Sequence, residues 1–170
     1  MKSTKRIALA GIFSALCFVF LFIGSMFQTL DLSAAAIASI IVMVAFIELG
    51  KSWALGVYLV ASVLSLLLLP YKTAAAVFAL FAGFYPILKE PLNRIKPLWL
   101  SYIARIAVFN LFLTALIYVS TNLLGIEEDF LAFGWIIYGL CNITFVVYDF
   151  AIERLSVYYV SKIKPKLFRQ

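Results

Sequence analysis

Two residues of opposite charge, Arg105 and Asp149, stand inside long apolar segments of a 170-residue chain in which only 13% of residues are charged. Arg105 follows Leu98 by seven residues, roughly 10 Å along a helix, and Asp149 precedes Arg154 by five residues. If the two segments are antiparallel helices, both charges lie at similar depths, so the spacing predicts an ion pair. The pair is either a relay for protons or ions, or a neutralising clamp between two helices.

Uncharged polar and aromatic side chains recur at helical spacing on the same two segments. One face of the later segment carries Trp135, Tyr138, Asn142, Phe145 and Asp149. One face of the earlier segment carries Asn110, Thr114, Tyr118 and Thr121. If the faces oppose each other, they line a pocket with the usual composition of a small-molecule site. Alternatively, the aromatic residues anchor the chain at the membrane surface and the amides and hydroxyls bond helix to helix.

The composition requires a lipid environment around these residues. Hydrophobic residues make up 65% of the chain, whereas soluble domains have about half, and the few charged residues do not suffice to cover a water-exposed surface. Cys17 and Cys141 lie in apolar runs, which indicates buried thiols instead of a disulfide, and there is no histidine. Motifs of hydrolases, phosphate-binding loops and metal sites are missing, so we expect neither an enzyme nor a cofactor or metal.

The apolar segments divide the chain into membrane-spanning lengths of roughly 20 residues. We predict an all-α polytopic membrane protein, a bundle of six transmembrane helices in a single membrane domain, followed by a flexible basic tail over residues 161–170. The predicted spans are Ile7–Phe27, Leu32–Leu49, Trp53–Leu69, Thr73–Leu88, Leu98–Leu124 and Phe130–Val157.

The basic residues predict the orientation. With a cytoplasmic N-terminus, twelve of the 14 Lys and Arg residues fall on the inner side, Lys72 falls on the outer side, and Arg105 lies within the fifth helix. Cytoplasmic segments are enriched in Lys and Arg, so both termini are expected in the cytoplasm and the chain in the plasma membrane. The net charge of +6 reflects this bias and attraction to anionic membrane lipid, without any need for a nucleic-acid partner.

Small residues share one face of the first helix. Ala8, Gly11 and Ala15 follow each other at intervals of three and four residues, a spacing that lets another membrane helix approach closely. Such a face serves packing within a bundle as readily as packing between subunits.

Taken together, the chain resembles the substrate-binding S component of the energy-coupling factor (ECF) vitamin transporters. The resemblance rests on the length, the six helices, and two local segments, KRIALAGIFSAL at residues 5–16 and LGKSWALG at residues 49–56. It implies a bundle that captures a vitamin or related micronutrient near the outer surface. It also implies that Ala8, Gly11 and Ala15 dock on a transmembrane coupling protein driven by two ATPase subunits.

The resemblance places the solute site in outer parts of later helices and their connecting loops. In this sequence that region contains Tyr71, Lys72, Tyr118, Trp135, Tyr138 and Asn142. Lys72 is then a partner for a carboxylate or phosphate, or else an interfacial lysine. Two other functions remain open: a scaffold or assembly protein of bacterial cell-envelope machinery, and a gradient-driven transporter that uses Arg105 and Asp149.

Overall fold

The structure, a computed structural model, describes residues 3–123 and 134–167, and within these ranges every regular element is helical. The α-helices are α1 (Ser3–Met26), α2 (Asp31–Leu49), α3 (Lys51–Leu68), α4 (Thr73–Val77), α5 (Tyr85–Asn93), α6 (Leu98–Leu123), α7 (Gly134–Tyr158) and α8 (Lys164–Leu167). Five helical stretches in the described part are long and apolar enough to cross a membrane, at 4–26, 31–49, 51–68, 73–93 and 99–118. The prediction of an all-α polytopic membrane protein is confirmed.

The helix boundaries agree with the predicted spans to within a few residues, except in the fourth. There the sequence predicts a span ending at Leu88, but α5 continues through Pro91 to Asn93. Proline removes one backbone donor and crowds the preceding turn, so it disturbs only the end of a helix that stops two residues later. The predicted ends at Leu124 and Phe130 lie outside the described residues.

The fourth span is interrupted by a π-helical turn over Phe78–Ala82. The amide of Gly83 donates to the carbonyl of Phe78, five residues back, and so leaves the carbonyl of Ala79 without its usual helical donor. The hydroxyl of Tyr58 on α3 donates to that carbonyl at 2.5 Å. A membrane interior offers no water to take this role, so the tyrosine stabilises the turn.

The chain forms two compact units, residues 1–89 with 152–170, and residues 90–151. The first unit has a core rich in small side chains, contributed by α1, α2, α3 and α4. Its fully buried alanines are Ala35, Ala38, Ala45, Ala54, Ala61, Ala74 and Ala75. Because lipid is as apolar as leucine, helices in a membrane gain stability from close packing, which small residues permit.

The described residues after α7 are helical as far as Leu167. A π-helical turn over Tyr159–Ile163 leads into α8, and Lys164 pairs with Glu48 of α2 at 3.7 Å. Lys164 also donates to the carbonyl of Ile47 at 3.2 Å, so it satisfies the C-terminal end of α2. Burial and the neighbouring Glu48 carboxylate raise the pKa of Tyr159, whose hydroxyl donates to that carboxylate.

Gly24 provides a test of the close packing between α1 and α2. A methyl group at Gly24 would lie 2.2 Å from the Cβ of Ala34, whereas one at Gly11 would meet nothing within 4 Å. We predict that Gly24→Ala lowers the free energy of unfolding by about 1–3 kcal/mol because the helices must separate. Gly11→Ala, on the same helix, should be neutral or stabilising by up to about 1 kcal/mol. The measurement is unfolding by SDS in mixed micelles, and equal effects of the two substitutions would contradict this packing.

Candidate functional site

The ion pair of Arg105 and Asp149 joins α6 and α7. Nη1 of Arg105 donates to Oδ2 of Asp149 at 2.8 Å, and the two residues are only 5% and 6% exposed. Both belong to the second unit, so the pair joins two helices of one compact body. Burial of two charges is tolerated here because each neutralises the other, whereas either one alone would be strongly unfavourable.

Ser101 and Tyr102 also contact the guanidinium of Arg105. Nη2 of Arg105 donates to the hydroxyl of Ser101 at 3.2 Å, one helical turn earlier. That hydroxyl in turn donates to the carbonyl of Leu92 at 2.8 Å, which leaves its oxygen oriented to accept from arginine. The ring of Tyr102 lies 4.7 Å from the guanidinium carbon, within the range of a cation–π contact. A pair that is enclosed and hydrogen-bonded in this way favours the clamp interpretation over the relay.

A stacked aromatic pair comes next along the hairpin. The rings of Phe109 and Phe145 lie parallel within 6°, with centroids 4.4 Å apart. Phe145 is buried. The stack adds an apolar contact between α6 and α7 beside the ion pair, and it contributes to the low dielectric in which charges interact strongly.

Two asparagine amides pair reciprocally beyond the phenylalanines. Nδ2 of Asn110 donates to Oδ1 of Asn142 at 2.9 Å, and Nδ2 of Asn142 donates back to Oδ1 of Asn110 at 3.1 Å. Each amide also donates to its own helix, Asn110 to the carbonyl of Ile106 and Asn142 to that of Tyr138. Both donors of each side chain are thereby used. Both residues remain half-buried.

The last described contact along the two helices joins Thr114 and Tyr138, whose hydroxyl oxygens lie 3.1 Å apart. Thr114 donates its proton to the carbonyl of Asn110, so Tyr138 is the donor in the pair. Thr114 is exposed and Tyr138 is half-buried. Successive contacts use later residues of α6, from Arg105 to Thr114, and earlier residues of α7, from Asp149 to Tyr138. This order is that of two antiparallel helices. We call the four contacts together the α6–α7 ladder.

The ladder contains some of the predicted solute-site residues and not others. Tyr138 and Asn142 lie within it, opposite Thr114 and Asn110 of the other predicted stripe. Tyr118 is exposed on α6, one turn beyond Thr114. The side chain of Trp135 and that of Thr121 lie outside the described residues.

Tyr71 and Lys72 belong to the first unit, in the connection between α3 and α4. The ammonium of Lys72 donates to the carbonyls of Leu69 at 2.7 Å and Leu67 at 3.4 Å, so it satisfies the C-terminal end of α3. Tyr71 is half exposed. The geometry of Lys72 thus gives this lysine a local role at a helix end.

The small residues of α1 lie on an exposed face. Ala8, Gly11 and Ala15 are all exposed, and open space surrounds the Cα of Gly11. Buried residues of the same helix, among them Cys17 and Leu21, point to the core of the first unit instead. Within the described residues of the first unit, no neighbouring helix covers this face.

Sequence reasoning overlooked Phe109 of the ladder. It also overlooked Ser101 and Tyr102, which contact the guanidinium of Arg105. The signal for Ser101 was its position four residues before Arg105, where helical geometry brings side chains together. In the part of the chain described, His, Cys, Asp and Glu form no group of three that would hold a metal ion. Comparison of the chain with family models, with characterised proteins and with solved structures found no match.

The ion pair should show the energetics of a buried charge pair. We predict that Arg105→Met alone lowers the free energy of unfolding by about 3–5 kcal/mol, because Asp149 is left charged and buried without its partner. The double variant Arg105→Met with Asp149→Leu should recover most of that loss.

The matched control is the exposed ion pair of Arg94 and Glu90, one helical turn apart on the chain. Glu90→Gln should change the free energy of unfolding by no more than about 1 kcal/mol. If the double variant is as unstable as the sum of its single variants, the two residues do not stabilise each other.

Proposed function

We propose that this chain is the solute-binding membrane subunit of an ATP-driven importer of the energy-coupling factor type, which captures a vitamin or related micronutrient. In this proposal the chain lies in the plasma membrane with both termini in the cytoplasm. It hydrolyses no ATP itself and associates with a transmembrane coupling protein that carries two ATPase subunits.

The observation on which the solute-binding part depends is the accessible polar edge of the α6–α7 ladder. Thr114 is exposed, and Tyr138, Asn110 and Asn142 are half-buried, within helices that are otherwise apolar. Polar groups that remain accessible in a membrane-spanning segment are costly and are common at functional sites. The phenolic oxygen of Tyr138 donates to Thr114 and keeps lone pairs that accept a hydrogen bond from a solute.

The exposed face of small residues on α1 supports the proposal of a coupling partner. Ala8, Gly11 and Ala15 present almost no side-chain bulk, so a second membrane helix approaches them closely and gains backbone contacts along the crossing. The alanines of the first unit serve such packing inside the chain, whereas these three residues are exposed. A transmembrane coupling protein is the occupant that the proposal assigns to this face.

The two other functions differ from this proposal in what they require. A gradient-driven relay needs an ion pair that opens to water, and Arg105 and Asp149 are buried and bonded to their surroundings. A scaffold of the cell envelope needs the α1 face but no solute. A purification dominated by envelope proteins, without ATPase subunits, would favour the scaffold.

Solute binding is tested on the full-length protein in detergent micelles with a panel of vitamins, nucleobases and amino acids. We predict that one compound raises the melting temperature without ATP. Tyr138→Phe and Thr114→Val should each weaken its binding roughly tenfold, the effect of losing one hydrogen bond.

Thr144→Val is the matched control, because this exposed threonine donates to the carbonyl of Leu140 on its own helix and lies outside the ladder. Its affinity should equal that of the wild type. A panel without any stabilising compound, or equal losses in all three variants, would contradict solute capture at the ladder.

Partner docking is tested by co-purification in mild detergent followed by mass spectrometry. We predict that Gly11→Leu removes the coupling protein and its ATPases, because the leucine side chain keeps the partner helix at a distance. Gly139→Leu is the control, since Gly139 is an exposed helical glycine with open space around it on α7. Retention of ATPase subunits by the Gly11→Leu variant would contradict docking on this face.

A further inference from the structure

Asp31, the first residue of α2, is a buried carboxylate that the proposed function does not use. It is 7% exposed, and its Oδ1 atom has no hydrogen-bond partner. Asp31 follows Leu30, the N-cap residue of α2. A buried carboxylate oxygen without a hydrogen-bond partner is unfavourable, so a cation bound to it would stabilise the fold.

The end of α1 lies against the turn that carries Asp31. Gly24 of α1 approaches so closely that a methyl group there would lie 2.2 Å from Ala34, one turn after Asp31, and 3.6 Å from the carbonyl oxygen of Leu30. The last carbonyl groups of a helix lack intrahelical donors and give its C-terminus a partial negative charge. No basic residue occurs in the last turn of α1 to offset that charge.

The chain supplies no cation of its own in the sequence around this place. Between Arg6 and Lys51 there is no Lys or Arg, and each of these two lies about 30 Å or more away along a helix. The ammonium of Lys72 is bonded to the end of α3, and Lys89 pairs with Glu153 at 3.4 Å. We call Asp31 together with the C-terminal end of α1, which precedes it by five residues, the Asp31 site.

We propose that the Asp31 site binds a monovalent cation, either an alkali metal ion or the ammonium group of a small amine. Both carry a single positive charge and accept carboxylate and carbonyl oxygens as ligands, and helix C-termini in membrane proteins coordinate such cations. A divalent metal ion would call for more carboxylates, and no three acidic, His or Cys residues cluster in the ranges that the structure describes. The site is independent of solute capture at the α6–α7 ladder.

The test compares the melting temperature of the full-length protein in detergent micelles in four chloride salts at equal ionic strength and pH. The cations are sodium, potassium, methylammonium and choline, of which choline is too bulky and has no N–H donor. We expect at least one of the first three cations, at a concentration about ten times its Kd, to raise the melting temperature by about 3–6 °C relative to choline. Sodium or potassium would identify a metal-ion site, and methylammonium an amine site.

Asp31→Asn should abolish the difference between the salts, since the amide keeps the shape of the side chain and removes its charge. Glu48→Gln, which neutralises the carboxylate at the other end of α2, should lower stability through loss of its contact with Lys164 but keep the salt response. Identical melting temperatures of the wild type in all four salts would overturn the proposal. So would a salt response that persists in Asp31→Asn.

Discussion

The absence of water in a membrane interior is the constraint on which most of this structure depends. A polar group there must find its partner within the protein, because the lipid offers neither donors nor acceptors. The α6–α7 ladder follows from this requirement. Arg105 pairs with Asp149, Asn110 with Asn142, and the hydroxyl of Tyr138 donates to that of Thr114. The same requirement explains why Tyr58 donates to the carbonyl that the π turn of the fourth span leaves without a helical donor.

Different interactions stabilise the two compact units in the membrane. The first packs alanines and other small residues so closely that Gly24 admits no methyl group. The second holds α6 and α7 together through polar pairs and a phenylalanine stack. Dispersion forces act in both, but directional hydrogen bonds fix which faces of α6 and α7 meet. A polar seam therefore provides the hydrogen-bonding groups that a solute site requires.

Much of this organisation was predictable from the sequence, for physical reasons that apply residue by residue. Long apolar runs define the helices because a span needs a certain length of hydrocarbon-compatible residues. Arg105 and Asp149 stand out as rare charges in such runs, and their spacing predicted the ion pair that the structure shows. The asparagine and threonine stripes are visible because helical periodicity brings them to one face.

Other features depend on contacts that no local pattern encodes. The π turn at Phe78–Ala82 is stabilised by a tyrosine on another helix, and the role of Lys72 depends on where α3 ends. The predicted fourth span ends at Leu88, before Pro91, yet α5 tolerates this proline close to its C-terminus. Asp31 lies just before the predicted second span, and only the structure shows that it is buried with Oδ1 lacking a hydrogen-bond partner.

Disulfide crosslinking in native membranes tests most directly whether the polar residues of α6 face those of α7. In a chain with Cys17 and Cys141 replaced by alanine, cysteines at positions 110 and 142 should form a disulfide rapidly on mild oxidation. Cysteines at 111 and 143, which replace exposed residues on the same helices, should not. Crosslinking of the second pair without the first would contradict the ladder and the solute site built on it.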